Sequence, residues 1–259
     1  MSAFRPESFR SSSAADASAS AYLSAASANP QVQALKHRTL DALGPYAGRA
    51  YLEIGCGNGD EVRELARRGA ARVVGVDINP SFAKPGGEES TAVEFVVADA
   101  HALPFADETF DGVRIERTLQ HVVDPAAVLS EARRVLAPGG ALVALEPDWA
   151  SLLVAHPDEQ TTRCVTAPEY GGQRHPTIGR RLRGLAHEVG FSDVAIEGFC
   201  IVVPDVELAE RYFFLSDRVR RAVEDGAIDV ERGNAWLAQL HDAPQTFAAS
   251  VSGFIAIAR

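Results

Sequence analysis

A chain of 259 residues is long enough for one α/β domain with a large core, or for two small domains. Its formal net charge of -10 at pH 7 argues against a surface for nucleic acid, because negative charge repels phosphates. The three cysteines form no CxxC pair and no metal-ligand spacing, so we expect neither a disulfide framework nor a metal site. No apolar run reaches the roughly 20 residues that span a bilayer, and the N-terminus lacks the apolar centre of a secretory signal. A cytoplasmic protein without membrane contact is therefore expected.

The first part of the chain is predicted to be a tail followed by helices. Residues 1–20 are rich in Ser and Ala and have little to bury, which predicts a flexible tail. Between residues 21 and 43 the apolar positions recur at helical spacing, and Gly44-Pro45 is a strong helix stop. One or two amphipathic helices are therefore expected within residues 21–45.

From residue 46 to residue 147, short apolar runs alternate with helical patterns. The predicted strands are 50–54, 72–76, 94–98, 112–115 and 141–145, and the predicted helices are 60–68 and 125–136. Two prolines and two glycines follow Asp77 closely, so any helix there is short. Continuous apolar strands separated by helices indicate a parallel sheet that is buried on both faces. We expect a doubly wound α/β fold with its ligand crevice at the carboxyl ends of the strands.

The C-terminal part is predicted to add two strands and several helices. The expected helices are 177–189, 206–224 and 230–240, and the expected strands are 194–203 and 248–258. Two late strands joined by a helical insert suggest an antiparallel hairpin at the sheet edge, with the insert over the pocket. The prediction is one domain over residues 21–259, with a core at 46–147 and lid or cap segments at 148–176 and 204–245.

Three glycines follow the first predicted strand at alternating positions, namely Gly55, Gly57 and Gly59. Glycine tolerates a positive φ and lets a ligand approach the backbone closely. The helix that starts near Asp60 would direct its free N–H groups at that ligand. A tight turn needs one glycine, so three at alternating positions indicate a nucleotide-binding loop.

Two acidic residues beside this loop discriminate between nucleotides. The dinucleotide fingerprint GxGxxG requires a glycine where this chain has Asp60. Glu53 stands two positions before Gly55, where a carboxylate would repel a pyrophosphate but could pair with an ammonium or lie beside a sulfonium. S-adenosylmethionine carries both cations, so the loop favours this methyl donor over NAD.

These residues resemble the motifs of class I S-adenosylmethionine-dependent methyltransferases. The family's first motif is similar to Leu52-Glu53-Ile54-Gly55-Cys56-Gly57-Asn58-Gly59, and its second-strand motif to Val73-Val74-Gly75-Val76-Asp77. By this resemblance Asp77 would bind both ribose hydroxyls, since two acceptor oxygens suit a cis-diol. The third-strand motif resembles residues 96–105, where Asp99 would accept from the adenine amine and the Ala100 N–H would face the ring.

Two further matches extend the resemblance, because residues 107–111 and 134–140 are similar to the family's entries into strands four and five. The motifs cover about residues 50–147 and most resemble the small-molecule branch, which includes quinone and natural-product methyltransferases. The short segment after Asp77 departs from the family's typical second helix. The resemblance implies a Rossmann-like, mostly parallel seven-stranded sheet with an antiparallel edge strand. The expected donor-binding residues are Glu53, Gly55, Cys56, Gly57, Asn58, Gly59, Asp77, Ile78, Asp99, Ala100, Glu116 and Arg117.

Candidate residues for the methyl acceptor follow the fourth and fifth strands. His121 is the best-placed general base, since an ordinary pKa near 6.5 suits proton removal at neutral pH. A packing role for this histidine stays open, and many methyltransferases need no dedicated base. Arg174 would suit an acidic acceptor. The expected acceptor contacts are Asp148, Trp149, Tyr170, Arg174 and His175.

Three functions remain as hypotheses. The first is methyl transfer from S-adenosylmethionine to an O, N or C atom of a small metabolite, in secondary metabolism or quinone-type biosynthesis. The second is a protein that binds S-adenosylmethionine but has lost or replaced methyl transfer, as a regulator or a non-methylating enzyme. The third is an NAD-dependent oxidoreductase, which Glu53 and Asp60 disfavour. The identity of the acceptor and a homodimeric state stay open.

Overall fold

The structure is a computed structural model that describes residues 29–82, 90–242 and 244–259. Its strands are β1 (Ala50–Ile54), β2 (Arg72–Asp77), β3 (Val93–Val97), β4 (Phe110–Glu116), β5 (Leu136–Val154), β6 (Val194–Val203) and β7 (Ala249–Ala258). Its α-helices are α1 (Pro30–Leu43), α2 (Asp60–Arg67), α3 (Pro125–Val135), α4 (Glu159–Val165), α5 (Ile178–Glu188), α6 (Val206–Phe213), α7 (Leu215–Glu224) and α8 (Val230–Asp242). The predicted tail at 1–20, the helical pattern of 21–28 and the segment 83–89 lie outside the described residues.

The strands form one seven-stranded sheet in the order β3-β2-β1-β4-β5-β7-β6. Neighbouring strands from β3 to β5 are parallel, whereas β7 pairs antiparallel with both β5 and β6. Strand β6 therefore runs in the same direction as β1 to β5 and forms the outer edge beside β7. The predicted doubly wound, mostly parallel sheet with antiparallel pairing at one edge is confirmed, and the antiparallel strand itself, β7, lies one position in from that edge.

Helices cover both faces of the sheet because its central strands are apolar on both sides. Leu52 and Ile54 of β1 pack into the core cluster that includes apolar residues of α3 and α5. Tyr51, directly before Leu52, packs on the other face into the cluster that includes residues of α1 and α2. These side chains are almost completely buried, and each contributes about 1.5–3 kcal/mol relative to an exposed one.

Two helices begin directly after a capping residue. The Asn29 side chain accepts hydrogen bonds from the first turn of α1, and the helix ends before Gly44. The Asp124 carboxylate caps α3 in the same way, and Pro125 occupies the first helical position. Each such cap stabilises its helix by about 1 kcal/mol. None of the described helices is long and apolar enough to cross a membrane.

Strand β5 is much longer than predicted. The sequence places its end at residue 145, but the strand continues through Glu146 to Val154. The extension pairs with the first half of β7, after a register shift between Asp148 and Leu153. The prediction of the strand end was wrong because this partner lies about 100 residues away in the chain and leaves no local signal. The first residues of the predicted lid 148–176 belong to the sheet.

The helical insert between β6 and β7 packs against residues of β5 and β6. Because β6 is parallel to β1–β5, the insert leaves the sheet at the edge where those strands have their carboxyl ends. The predicted single helix over 206–224 is broken at Phe214, whose φ of 54° separates α6 from α7. The insert has its own apolar cluster, which includes Trp149 of β5 together with Phe213 and Trp236.

Candidate active site

The glycine loop between β1 and α2 is held tightly against two neighbouring strand ends. Gly55, Gly57 and Gly59 have φ values of 75°, 49° and 76°, which are left-handed conformations that favour glycine. The N–H groups of Gly55 and Cys56 both donate to the Val76 carbonyl oxygen, at 2.8 and 2.9 Å. A Cβ atom on Gly55 would lie 2.1 Å from Oγ1 of Thr118, so the loop has no room for a larger residue there.

Asp77 ends β2 directly beside this loop. One carboxylate oxygen accepts the Gly57 N–H at 3.0 Å, and the other accepts the Asn79 N–H at 2.9 Å. Burial raises the pKa of Asp77, although these N–H groups oppose the change. Each carboxylate oxygen has a further lone pair, so the group can also accept two hydroxyl hydrogens of a cis-diol. The structure thus brings together Gly57 and Asp77, as predicted.

A buried cluster of charges lies beneath the loop, centred on Arg114 of β4. Its Nη1 donates to Oε1 of Glu53 at 2.5 Å, its Nη2 donates to Glu116, and its Nε donates to the Thr39 hydroxyl of α1 at 2.9 Å. The Arg117 guanidinium pairs with the same Glu116 at 3.1 Å. Sequence reasoning missed Arg114, but a charged residue inside a strand predicted to be buried on both faces was a usable signal.

The two carboxylates of this cluster ionise differently. Burial opposes the charge of Glu116, but Arg114 and Arg117 outweigh it and lower the pKa of that carboxyl to about 2. Burial raises the pKa of Glu53 to about 7, even though Arg114 lies beside it. Within the described part of the chain, Oε2 of Glu53 has no hydrogen-bond partner. An unsatisfied buried carboxylate oxygen is costly and fits a site that receives a cationic group from a ligand.

One cleft joins the loop and the charged cluster. Its lining comes from α1, the end of β1, the glycine loop, the start of α2 and the end of β4. The lining residues are Lys36, Glu53, Gly55, Cys56, Gly57, Asn58, Asp60, Glu61, Glu116 and Arg117. Most of the predicted donor-binding residues therefore share a single cleft. Burial raises the pKa of the Cys56 thiol far above its usual range, so Cys56 is a small spacer rather than a nucleophile.

The other predicted donor contacts follow the ends of β2 and β3. Ile78 is half-buried next to Asp77, and Ala100 is half-buried next to Asp99. Asp99 accepts hydrogen bonds from the N–H and from Nδ1 of His101, at 3.0 and 2.5 Å. Nε2 of the same ring accepts the Asp124 N–H at 3.1 Å. His101 therefore fixes the Asp99 carboxylate relative to the start of α3.

The comparisons with known proteins agree with this geometry. Residues 52–144 match the Methyltransferase domain family. The chain is 35% identical over 244 residues to an uncharacterized 37.1 kDa protein in a Streptomyces fradiae transposon, covering 92% of this chain and 70% of that protein. It is 40% identical over 118 residues to a demethylmenaquinone methyltransferase of Beutenbergia cavernae. This match covers 44% of the present chain and 49% of that enzyme, so the chain spans about half of the enzyme's length.

Solved structures with 18–20% identity share the fold. A Bacillus halodurans protein, provisionally named a methyltransferase, has a TM-score of 0.63 over 86% of this chain and 97% of its own. Phosphoethanolamine N-methyltransferase 2 of Haemonchus contortus, in complex with S-adenosyl-L-methionine, has a TM-score of 0.57, and the match covers 100% of this chain and 60% of that one. The (4+2)-cyclase SpnF has a TM-score of 0.53, and the match covers 88% of this chain and 81% of that one.

The chain belongs to the class I S-adenosylmethionine-dependent methyltransferases. The methyl donor of this family carries an ammonium, a carboxylate and a sulfonium at its methionine end, and a ribose with two hydroxyls. The buried Glu53 oxygen, which has no partner among the described residues, and the two acceptor oxygens of Asp77 fit the ammonium and the ribose of that donor. The residues of this methyltransferase are therefore compatible with its family's cofactor.

The turn after β4, residues 117–123, lies between the donor cleft and β5 of the methyltransferase. Arg117 begins it with a φ of 52°, and the Leu119 N–H donates to Oε1 of Glu146 at 2.6 Å. Burial, aided by the Arg117 charge, lowers the pKa of His121 to about 3. The prediction of a general base relied on the ordinary pKa of histidine. In the folded protein His121 is therefore uncharged at neutral pH and is a weaker base than an ordinary histidine, which favours a positioning or packing contribution.

Glu146, which sequence reasoning did not select, holds this turn from β5. The residue is fully buried, and in the described chain its Oε2 has no hydrogen-bond partner. Burial raises the pKa of Glu146 to about 8, while N–H groups of residues 118–120 act in the opposite direction. The carboxyl is therefore largely protonated at neutral pH and still accepts the Leu119 N–H.

We expect the Glu146→Gln variant to lose part of the pH dependence of stability. A carboxyl whose pKa is raised in the folded state stabilises the protein fully below its unfolded value, near 4.5, and this contribution disappears as the pH rises through about 8. The free energy of unfolding of the wild type should therefore fall relative to the variant between pH 5 and pH 8, by up to about 1.4 kcal/mol per unit. Urea unfolding of both proteins at several pH values measures it, and parallel curves would contradict the buried state of Glu146.

Most predicted acceptor residues are occupied by contacts within the protein. The buried Asp148 carboxylate forms an ion pair with the guanidinium of Arg180. The Trp149 indole N–H donates to the Gln120 side chain at 2.6 Å, which fixes the turn after β4. The hydroxyl of Tyr170 donates to Asp225 at 3.0 Å. These three side chains thus have partners within the protein, and Trp149 contacts the turn after β4 through Gln120.

The other two predicted acceptor residues differ in their surroundings. The His175 N–H donates to the Gln120 carbonyl at 3.0 Å, and Nε2 of its ring lies 3.1 Å from the Val122 carbonyl oxygen. The side chain of Arg174 is exposed. The structure therefore brings His175 to the turn that also carries His121, and leaves Arg174 at the surface.

Proposed function

We propose that this methyltransferase transfers the methyl group of S-adenosylmethionine to an O, N or C atom of a small metabolite, in quinone-type or other natural-product biosynthesis. One observation carries the proposal, which is the position of the cap. The insert between β6 and β7 starts at the edge of the sheet where β1, β2 and β4 end. The glycine loop follows β1 at this edge, and Asp77 and Glu116 are the last residues of β2 and β4. A helical cap beside a donor cleft suits an acceptor that is enclosed, rather than a large macromolecule.

Acceptor choice is assigned to the two cap segments, 148–176 and 204–245. The family match ends at residue 144, before either segment begins. Arg218 of α7 joins the two segments, because its guanidinium donates to the Phe213 carbonyl at 2.9 Å and to the Ala167 carbonyl at 3.1 Å. Burial lowers the pKa of Arg218 to about 10, and the group lies 5.8 Å from the Trp149 ring centroid. Such an anchored layer would act as one lid.

The chain's own contribution to the reaction is positioning and exclusion of water. The donor supplies an electrophilic methyl group on a sulfonium, and the acceptor atom must approach it in line. Glu53, Asp77 and the loop N–H groups would hold the donor, while the turn that carries Thr118 and His121 would face the acceptor. The demethylmenaquinone methyltransferase that resembles this chain supports a quinone-type acceptor. The charge of -10 also favours a small acceptor over nucleic acid.

The second candidate is a protein that binds S-adenosylmethionine without transferring its methyl group. The likeness of its fold to the SpnF cyclase favours this alternative, since that protein is named for a cyclisation. The neutral and weakly basic His121 is compatible with it too.

Label transfer tests the proposed function. The protein is incubated with donor labelled on its methyl group and a library of phenols, hydroquinones and amines, and extracts are analysed for labelled product. We expect label in at least one acceptor, with one S-adenosylhomocysteine formed per methyl transferred, and much less label with the Asp77→Ala variant when the donor is limiting. Tight binding of S-adenosylhomocysteine without label in any acceptor would instead support the second candidate.

A further inference from the structure

Gln120 lies in the turn after β4 and is buried, with 3% of its surface exposed. Its Oε1 accepts the indole N–H of Trp149 at 2.6 Å, and its Nε2 donates to the Arg117 carbonyl oxygen at 3.0 Å. These partners determine the orientation of the amide, because an indole N–H can only donate and a carbonyl oxygen can only accept. One side chain therefore joins β5 to the first residue of the turn.

Arg117 needs such a contact because its backbone is strained. Its φ of 52° lies in the left-handed region, which is unfavourable for a residue with a Cβ atom. The Arg117 N–H donates to the Leu145 carbonyl at 2.9 Å, and the Gln120 amide binds the carbonyl of the same residue. Both polar groups of the Arg117 main chain are thus held, and the carbonyl is held by the Gln120 side chain.

The conformation of Arg117 reaches the donor cleft through two side chains. The Arg117 guanidinium pairs with Glu116 at 3.1 Å, and both residues line the cleft. The next residue, Thr118, has its Oγ1 3.3 Å from the Ile54 carbonyl oxygen and lies against Gly55 of the glycine loop. A relaxation of Arg117 to an ordinary backbone conformation would move both side chains, because a change of φ and ψ redirects the chain that follows.

The other partner of Gln120 belongs to the apolar cluster of the insert between β6 and β7. In that cluster Phe213 meets the Trp149 ring edge-on, with the ring centroids 6.4 Å apart. The Arg218 guanidinium of α7 lies 5.8 Å from the centroid of the same ring. Gln120 is thereby in contact both with the side assigned to the acceptor and with the residue that borders the donor cleft.

We propose that Gln120 is a positioning residue for the methyl donor, which keeps Arg117 in its left-handed conformation while Trp149 holds Gln120 in place. The assignment rests on the donor of the proposed function and deepens it with a residue that acts through Arg117. Loosening the insert around Trp149 then weakens donor binding, because the amide of Gln120 is no longer fixed.

Calorimetric binding of S-adenosylhomocysteine tests the assignment. The Kd is measured for the wild type, for Gln120→Met, for Trp149→Phe and for Trp236→Phe, and urea unfolding checks that each variant is folded. Trp236 is the matched control, because it is buried in the same cluster and donates its indole N–H to the Thr162 hydroxyl at 2.9 Å, outside the turn. We expect Gln120→Met and Trp149→Phe to raise the Kd about fivefold or more, and Trp236→Phe to leave it within about twofold.

A second comparison separates positioning from a general effect on the fold. Arg117→Gly removes the strain, since glycine adopts left-handed backbone readily. Although this substitution itself weakens binding, adding Gln120→Met to it should raise the Kd by less than about twofold. The same factor in both backgrounds, equal weakening by the two tryptophan variants, or an unchanged Kd in Gln120→Met would overturn the assignment. Since only binding is measured, its failure is distinct from a failure of methyl transfer.

Discussion

Arg114→Leu is expected to lower the free energy of unfolding by about 3–5 kcal/mol, a large share of the 5–15 kcal/mol of an ordinary domain. The guanidinium is 1% exposed and binds Glu53, Glu116 and the Thr39 hydroxyl at once. Its removal leaves two buried carboxylates without their shared partner. The loss of stability should grow as the pH rises. Without Arg114, burial raises the pKa of Glu53 and Glu116, and ionising these carboxyls inside the fold at higher pH is unfavourable. Urea unfolding at pH 6 and pH 8 measures both effects.

A matched control separates burial from charge in this experiment. Arg72 on β2 also pairs with a carboxylate, Glu94, at 2.9 Å, but both side chains are exposed. Arg72→Leu should cost less than about 1 kcal/mol. The triple variant Arg114→Met/Glu53→Gln/Glu116→Gln should recover part of the stability lost by Arg114→Leu, since neither of the two buried carboxylates that Arg114 binds is left to ionise. Equal losses for Arg114→Leu and Arg72→Leu would show that the cluster is not buried as described.

Asp77→Ala should weaken the binding of S-adenosylhomocysteine by more than tenfold. The variant lacks the carboxylate that we propose binds the ribose hydroxyls, and hydrogen bonds to a charged group contribute about 1.5–3 kcal/mol each. The Gly57 N–H also loses its acceptor, which loosens the glycine loop. Calorimetry of the wild type and the variant provides the two Kd values.

Asp111 offers a matched control for this second experiment. Its carboxylate also accepts a backbone N–H, from Ala50 at 2.9 Å, but at the opposite end of β1 from the loop. Asp111→Ala should leave the Kd for S-adenosylhomocysteine within about twofold. A 3′-deoxy analogue gives a further readout, because the wild type should lose affinity for it and Asp77→Ala should not. An unchanged Kd in Asp77→Ala would refute the ribose assignment.

The glycine loop and Asp77 could be predicted because their signals are local. Gly55, Gly57 and Gly59 need left-handed backbone, and all three adopt it. The alternation of apolar strands with helical patterns likewise predicted a mostly parallel, doubly wound sheet, since parallel strands are joined by crossover connections. Each of these features depends on residues that are near one another in the chain.

Other features of the site were decided by contacts between distant segments. The Arg114 cluster joins β4 to β1 and α1, and Lys36 reaches Glu61 from another helix, so neither pairing has a sequence spacing to detect. Burial also changed the chemistry of residues that were chosen correctly, because it lowers the pKa of His121 far below its ordinary value. Sequence therefore determined the fold and the family's donor loop. The tertiary structure decided which charges are paired and which polar atoms remain to meet a ligand, because both depend on desolvation and on long-range packing.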